Sequence, residues 1–352
     1  MKQLAVITAV ILSLLSPLPA TAQTTAGAVP EFTVDESKTL WGANPASWHA
    51  GYTPGDRLVE LTVTSTIVPG PVKARLILPA GWSPDASRTW PTLWLLHGGD
   101  GGPTDWTGGA DKGDAWNILK DREVITVMPD GSTCGGYSDW LKVPADGKAR
   151  KWETFHLTYL RRYVEEVFHA GTERAIAGLS MGGGGAMLYA ARNPGMFKAA
   201  ASFSGALDSL YTPAPGISPM LAIKSGAAKC GVAWTDMWGD PAEVEPGDLN
   251  GDPAWVFKQH NPASLADRLR GVELFVSTGD GHAGSRNGYG NPWAVDVVEQ
   301  TTYGMALSFY DELQQHDLNT RLIIMPYGRH DWSNWNRQLQ RAETMLMTAI
   351  GA

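Results

Sequence analysis

Cysteine is scarce in this 352-residue chain, with only Cys134 and Cys230. One disulfide at most can form. In an oxidising compartment the two could pair, or they could stay as buried thiols, and sequence alone leaves both open. Long apolar runs are also lacking after residue 22, so nothing later in the chain reads as a membrane span. No Lys/Arg cluster interrupts a chain of formal net charge −8, which argues against a nucleic-acid partner. Forty glycines produce neither G-x-G-x-x-G inside a dinucleotide-binding unit nor a G-x-x-x-x-G-K-[ST] loop, and no cofactor is implied. "GDLNGD" sets Asp248, Asn250 and Asp252 at alternate positions but lacks the remaining calcium ligands, so it reads as a solvated turn and no metal is expected.

The first 22 residues have the look of a signal peptide. Lys2 is followed by "LAVITAVILSLLSPLPA" and then by the small-x-small "ATA" before Gln23. The chain is therefore expected to be exported, outside the cell or in its envelope. Residues 23–54, rich in Ala, Thr, Gly and Pro, read as an extended lead-in, and residues 55–352 as one domain.

Within that domain "RLVELTVTSTI" and "VKARLILPA" alternate in strand fashion about "VPGP", the signature of a hairpin. "PTLWLLHGGDGG" and "EVITVMPDG" are continuous apolar runs ending in turn residues, as buried parallel strands do. Helical spacing over 153–168, the strand "RAIAGLS", the helix "GGGAMLYAARNP", the strand "FKAAASFSG", the strand "VELFVSTGDG", a helix across 294–316, the strand "RLIIMPYG" and a last helix from Ser333 complete the alternation. Strands alternating with helices give an α/β fold with a mostly parallel sheet. Residues 207–262 break the rhythm with Pro, Gly, Trp and acidic residues, and are expected to form an inserted lid.

Gly178-Leu179-Ser180-Met181-Gly182 lies between a strand and a small-residue helix, the setting of a nucleophile elbow. A serine hydroxyl needs a base, and His330 follows the last strand, where the base of such a site belongs. The acid should follow the strand before it, which points to Asp280 in "TGDGHAG", with Asp296 and Glu299 in reserve; a turn aspartate bonded to its own backbone is the other reading of Asp280. The oxyanion needs two N–H donors, expected from Met181 and from Gly99 in the "LLHGGDGG" loop. Fifteen tryptophans are unusual, and Trp332 and Trp335 flank His330 as candidate substrate contacts.

Taken in order, "VMPDGSTCGGYSDW", "KWETF", "GLSMGG", "DMWGDP", "DPAW", "ELFVSTGDG" and "HDWSNW" resemble the secreted mycolyltransferases of actinobacteria and the wider esterase-D-like hydrolases, over roughly residues 58–347. The resemblance implies an α/β-hydrolase fold, no cofactor, an acyl-serine intermediate at Ser180 with His330 as base, and oxyanion donors at Gly99 and Met181. The departures are specific. The family's sugar-contacting aspartate becomes His97 and a nearby arginine becomes Asp100, so these two join the candidate substrate contacts. The family's catalytic glutamate falls near Ser285 and Arg286, neither of which is an acid. These changes favour an ester hydrolase acting on a small-molecule or lipid ester over a mycolyltransferase with a sugar acceptor. A non-catalytic carbohydrate-binding protein on the same scaffold is the alternative of a different class, and a peptidase a further one.

Overall fold

The strand-forming runs of the sequence pair into one eleven-stranded sheet in a computed structural model, which describes residues 32–109, 111–212, 219–243, 251–282 and 295–352. The expected leader and residues 23–31 lie outside these, as do Asp248, Asn250, Ser285 and Arg286. The strands are β1 Phe32–Val34, β2 Leu40–Gly42, β3 His49–Ala50, β4 Leu58–Ser65, β5 Pro71–Ile77, β6 Trp90–Leu96, β7 Ile125–Pro129, β8 Ala170–Leu179, β9 Ala199–Phe203, β10 Glu273–Gly279 and β11 Arg321–Met325. Their spatial order is β11-β10-β9-β8-β6-β7-β5-β4-β2-β3, with β1 on β4. The six strands from β11 to β7 run parallel, and β5, β4, β2 and β3 continue the sheet antiparallel.

The hairpin expected about "VPGP" is β4–β5, in register from Leu58 opposite Ile77 to Thr64 opposite Pro71. The lead-in is not loose. Residues 32–50 contribute β1, β2 and β3, and Trp41 packs among Tyr52, Trp82 and Phe168 with ring centroids 5.0–6.1 Å apart. Short strands rich in Thr, Trp and Gly carry too little period-2 signal to be seen in sequence.

Helices cover both faces because the parallel strands are apolar on both. The set is α1 Ala115–Leu119, α2 Trp152–Thr154, α3 Arg161–Phe168, α4 Met181–Arg192, α5 Pro219–Lys229, α6 Thr235–Trp238, α7 Trp255–Lys258, α8 Val297–Gln315 and α9 Trp332–Ile350. Between α2 and α3 the six residues Phe155–Leu160 wind as a π-helix. On one face, α3, α4 and α8 bury Phe168, Met187, Leu188, Met305, Phe309 and Leu313. On the other, α1 and α9 bury Leu119, Leu339, Leu346 and Ile350.

The region 207–262 holds α5, α6 and α7, which pack Met237, Trp238 and Phe257 with Trp140 in a core of their own. A disulfide between Cys134 and Cys230 ties this insertion to the loop after β7, so pairing is the arrangement the chain adopts. No described helix is long and apolar enough to cross a membrane.

Candidate active site

The chain reverses its direction of growth across the sheet at β6, since β7 is added on one side and β8 on the other. In open α/β sheets the crevice at the carboxyl ends of such strands is where ligands bind. Here β6 ends at His97-Gly98-Gly99 and β8 ends at Ser180.

Ser180 has φ 52° and ψ −121°, a conformation L-residues avoid. Two glycines make it attainable. A Cβ on Gly178 would stand 2.2 Å from the Gly182 carbonyl oxygen, and one on Gly182 would stand 2.4 Å from the Leu96 and His97 oxygens. These obstacles are backbone, so they cannot swing aside. Gly182→Ala is therefore expected to lower the thermal midpoint and ester turnover together, at roughly 1–3 kcal/mol or more of stability. Gly226→Ala in α5, where nothing lies within 4 Å of an added Cβ, should leave both intact; equal behaviour of the two variants in a melting scan would contradict this packing account.

The Ser180 hydroxyl lies 2.9 Å from His330 Nε2. His330 Nδ1 lies 2.7 Å from a carboxylate oxygen, and that carboxylate is Glu299, not Asp280. Asp280 instead accepts two backbone N–H groups with Oδ1, that of His282 in its own turn at 3.0 Å and that of Tyr327 in the loop after β11 at 2.9 Å. This is the Asx-type turn that a glycine-flanked aspartate readily forms. Asp280 is thus corrected: it makes no contact with His330, and of the two reserves Glu299 holds the ring.

Glu299 is the third residue of α8. Asp296 caps that helix, accepting the Glu299 N–H with Oδ1 at 3.1 Å, while its Oδ2 accepts the His330 N–H at 2.9 Å. One carboxylate thereby fixes both the helix start that carries Glu299 and the backbone that carries His330. The "D-x-x-E" spacing is a capping-box pattern, and that was the available sequence signal for Glu299 in the first turn. Here Glu299 does not reach back to the cap. The Asp296 N–H is taken by the Gly281 carbonyl, which leaves the glutamate free for His330.

Glu299 is fully buried. Burial pushes its carboxyl upward, but His330 beside it, the Gly279 N–H and the Ser204 hydroxyl at 2.8 Å together hold it below the ordinary glutamate value. Ser204 in turn accepts the Trp335 indole N–H at 3.2 Å, and Trp335 stands edge-on to the His330 ring at 5.0 Å. Nothing in the sequence marked Ser204 for this support.

A cavity of about 620 Å³ opens at the serine, lined by Gly98, Gly99, Leu179, Ser180, His330 and the start of α9, with Asp100 and Asp111 on its walls. Trp332 and Trp335 both line it, and Asp100 does so while paired with Lys229 of the insertion. His97 does not. It is fully buried, with Nε2 bonded to the Gly131 N–H at 2.8 Å and Nδ1 to the Gly98 carbonyl at 2.7 Å, so its expected substrate contact is corrected. Met181 opens α4, where an N–H has no partner within its own helix, and Gly99 lies beside the serine on the cavity wall. Among the described residues no group of His, Cys, Asp and Glu could hold a metal ion.

A mostly parallel sheet with helices on both faces, and a strained serine at the carboxyl end of a central strand within reach of a histidine, together define an α/β-hydrolase. The chain belongs to the Esterase family, which it matches over residues 65–346, and it is a serine ester hydrolase or acyltransferase. It is 30% identical over 275 residues to the diacylglycerol acyltransferase/mycolyltransferase Ag85B of Mycobacterium leprae, covering 73% of this chain and 79% of that one. It is 32% identical over 220 residues to the esterase Rv1288 of Mycobacterium tuberculosis, covering 56% of this chain and 43% of that longer protein. Among solved structures it shares its fold with a ferulic acid esterase (TM-score 0.57, 23% identity, covering 84% and 97% of the two chains). It shares it also with MPT51 of Mycobacterium tuberculosis (TM-score 0.60, 22% identity, covering 81% and 97%).

Proposed function

We propose that the chain is a secreted carboxylic-ester hydrolase that works through an acyl-Ser180 intermediate. The observation that carries this reading is the continuous hydrogen-bond line from Ser180 Oγ through His330 to buried Glu299. His330 Nε2 takes the hydroxyl proton as Oγ attacks the ester carbonyl, then hands it to the departing alcohol. Water repeats the sequence on the acyl-serine: its proton goes to Nε2 and then back to Oγ as the acid leaves. Glu299 keeps the Nδ1–H tautomer and stabilises the imidazolium. The Gly99 and Met181 N–H groups receive the carbonyl oxygen as it becomes negative.

Hydrolysis is favoured over transfer because His97 stands where the mycolyltransferases it resembles have a sugar-contacting aspartate, and its ring is fully buried and absent from the cavity lining. A sugar or other polyol acceptor is the second reading, favoured by Trp332, Asp111, Ser333 and Asn336 on those walls. The non-catalytic alternative drew its support from a missing acid, and Glu299 against His330 removes that support. Export is supported by the leader-like first 22 residues and by the Cys134–Cys230 disulfide, which persists in oxidising surroundings.

The test is intact mass after a fluorophosphonate probe, followed by peptide mapping. One adduct on Ser180 is expected, and an unlabelled folded protein would overturn the acyl-serine reading. A matched assay with and without trehalose then separates the acceptors, since acylated sugar in excess of free acid would make the chain a transferase.

A further inference from the structure

We infer that His97 is a positioning residue of the oxyanion hole, locking the Gly98–Gly99 peptide so that the Gly99 N–H faces the cavity. The inference rests on the reading of Ser180 as the nucleophile. In a trans peptide the C=O and the following N–H point in opposite directions, so whatever fixes one fixes the other. The Gly98 carbonyl is held twice, by His97 Nδ1 at 2.7 Å and by the Gly101 N–H at 3.2 Å. The His97 ring is fully buried and absent from the cavity lining, so it holds this carbonyl toward the protein interior, while the Gly101 N–H closes the turn. The Gly99 N–H is thereby directed to the opposite side, where Gly98 and Gly99 line the cavity next to Ser180.

The proton that does this is itself assigned by the fold. Gly131 donates its N–H to His97 Nε2 at 2.8 Å, which requires a lone pair there and leaves the ring hydrogen on Nδ1. The Asp130 carboxylate is 3.7 Å from Nε2, too far to compete for it as a hydrogen-bond acceptor. The ring is fully buried and edge-on to Tyr137 at 5.8 Å. Tyr137 also donates its hydroxyl to the His97 carbonyl at 2.9 Å, fixing the preceding peptide in the same sense. Two successive peptides of the loop are thus set by one buried pair of rings.

The glycines leave this arrangement needing support. A Cβ on Gly98 would crowd the Leu179 side chain at 2.8 Å and the Ser180 Cβ at 3.2 Å, so the position is occupied by glycine close against the nucleophile. A glycine peptide free of such restraint flips readily. An oxyanion donor that spends time pointing away gives less stabilisation to the transition state without altering ground-state binding.

Two substitutions divide the two nitrogens of the ring. The amide of His97→Asn reaches the position of Nδ1 and keeps a donor for the Gly98 carbonyl. The amide of His97→Gln reaches the position of Nε2, keeping an acceptor for Gly131 and losing that donor. His97→Gln is expected to lower kcat about 10- to 100-fold with KM within about twofold, and His97→Asn to stay within about fivefold of the parent. The carbonyl stretch of a trapped acyl-enzyme should move to higher wavenumber in the glutamine variant alone, reporting lost hydrogen bonding to the acyl oxygen. A purely structural His97 would instead lower the melting temperature in both variants without this order. If His97→Gln does not fold, Tyr137→Phe, which frees the preceding carbonyl, carries the same expected fall in kcat and shift of the stretch. A parent protein that forms no acyl-enzyme on Ser180 would sink the acyl-serine reading. A parent that acylates, with the glutamine variant (or Tyr137→Phe in its place) matching it in kcat and carbonyl stretch, would sink this one.

Discussion

Exchange of Ser180 for alanine is expected to lower kcat toward a short-chain ester by roughly a million-fold while the protein melts at or slightly above its parent temperature. The loss is large because the hydroxyl is the covalent acceptor. No other hydroxyl touches His330: those of Ser204, Thr278 and Thr302 are buried against Glu299, and that of Ser333 on the cavity wall donates to Asp331 at 2.8 Å. Stability should not fall, because the side chain makes a single hydrogen bond, to His330, and sits on a backbone at φ 52° that costs of order 1–3 kcal/mol to hold. Ser180→Gly would relieve that cost and should melt higher still. Binding of an uncleaved ester analogue should survive in both variants, since the walls of the cavity are unchanged. Steady-state assay, calorimetry and equilibrium binding on one preparation check the three parts together. Residual turnover within a hundredfold of the parent would mean that the serine is not the nucleophile.

Much of this site could be read from the sequence, and the reasons differ by residue. Ser180 was legible because the elbow is a local constraint, with a strand, a turn too tight for side chains and a helix compressed into a few residues. His330 was legible because it sits in a short loop whose place in the order is set by the alternation of strands and helices. Glu299 was harder. The rule that an acid follows the penultimate strand holds loosely, for α8 begins only at Val297, well beyond the end of β10 at Gly279, and the carboxylate arrives from its first turn. Asp280 stands where a short loop would have placed the acid. Its carboxylate is consumed by turn N–H groups, a competition that sequence does not reveal.

His97 was misplaced for a related reason. A histidine at the end of a strand in a glycine loop looks exposed, and position relative to the family suggested a substrate contact. Burial depends on Tyr137 and Gly131, which follow β7 and are distant in sequence though adjacent in space. The early strands escaped notice because two or three residues cannot show a period. Their places are fixed by pairing, β1 and β2 on β4 and β3 on β2, a tertiary fact. The insertion was recognised from its composition, but its attachment was not. Cys134 and Cys230 are bonded, and neighbouring Lys229 pairs at the surface with Asp100 in the loop after β6, so the 207–262 region touches both loops.

Glu299→Gln is expected to lower kcat roughly 10³- to 10⁴-fold, whereas Asp280→Asn should stay within about threefold of the parent. The glutamine is nearly isosteric and can keep bonds to Ser204 and Gly279. It can also present its NH₂ to His330 Nδ1, and that would drive the ring proton to Nε2, the nitrogen that must accept from the serine. The pH profile gives an independent sign. Glu299 is held below its ordinary value of 4.5, so its protonation contributes to the acid limb of kcat/KM in the parent and that contribution is absent from the glutamine variant. For stability the sign is the usual one for a depressed carboxylate. The hydrogen bonds accepted by the ionised carboxylate contribute fully above the unfolded-state value and are lost as pH falls through the lower folded value, so the glutamine variant should show a shallower loss of stability on acidification. Asp280→Asn should leave the acid limb in place, since Asp280 accepts the backbone N–H groups of His282 and Tyr327 and not the His330 ring. A profile in which Asp280→Asn shifts the acid limb and Glu299→Gln leaves it in place would reverse the assignment of the acid.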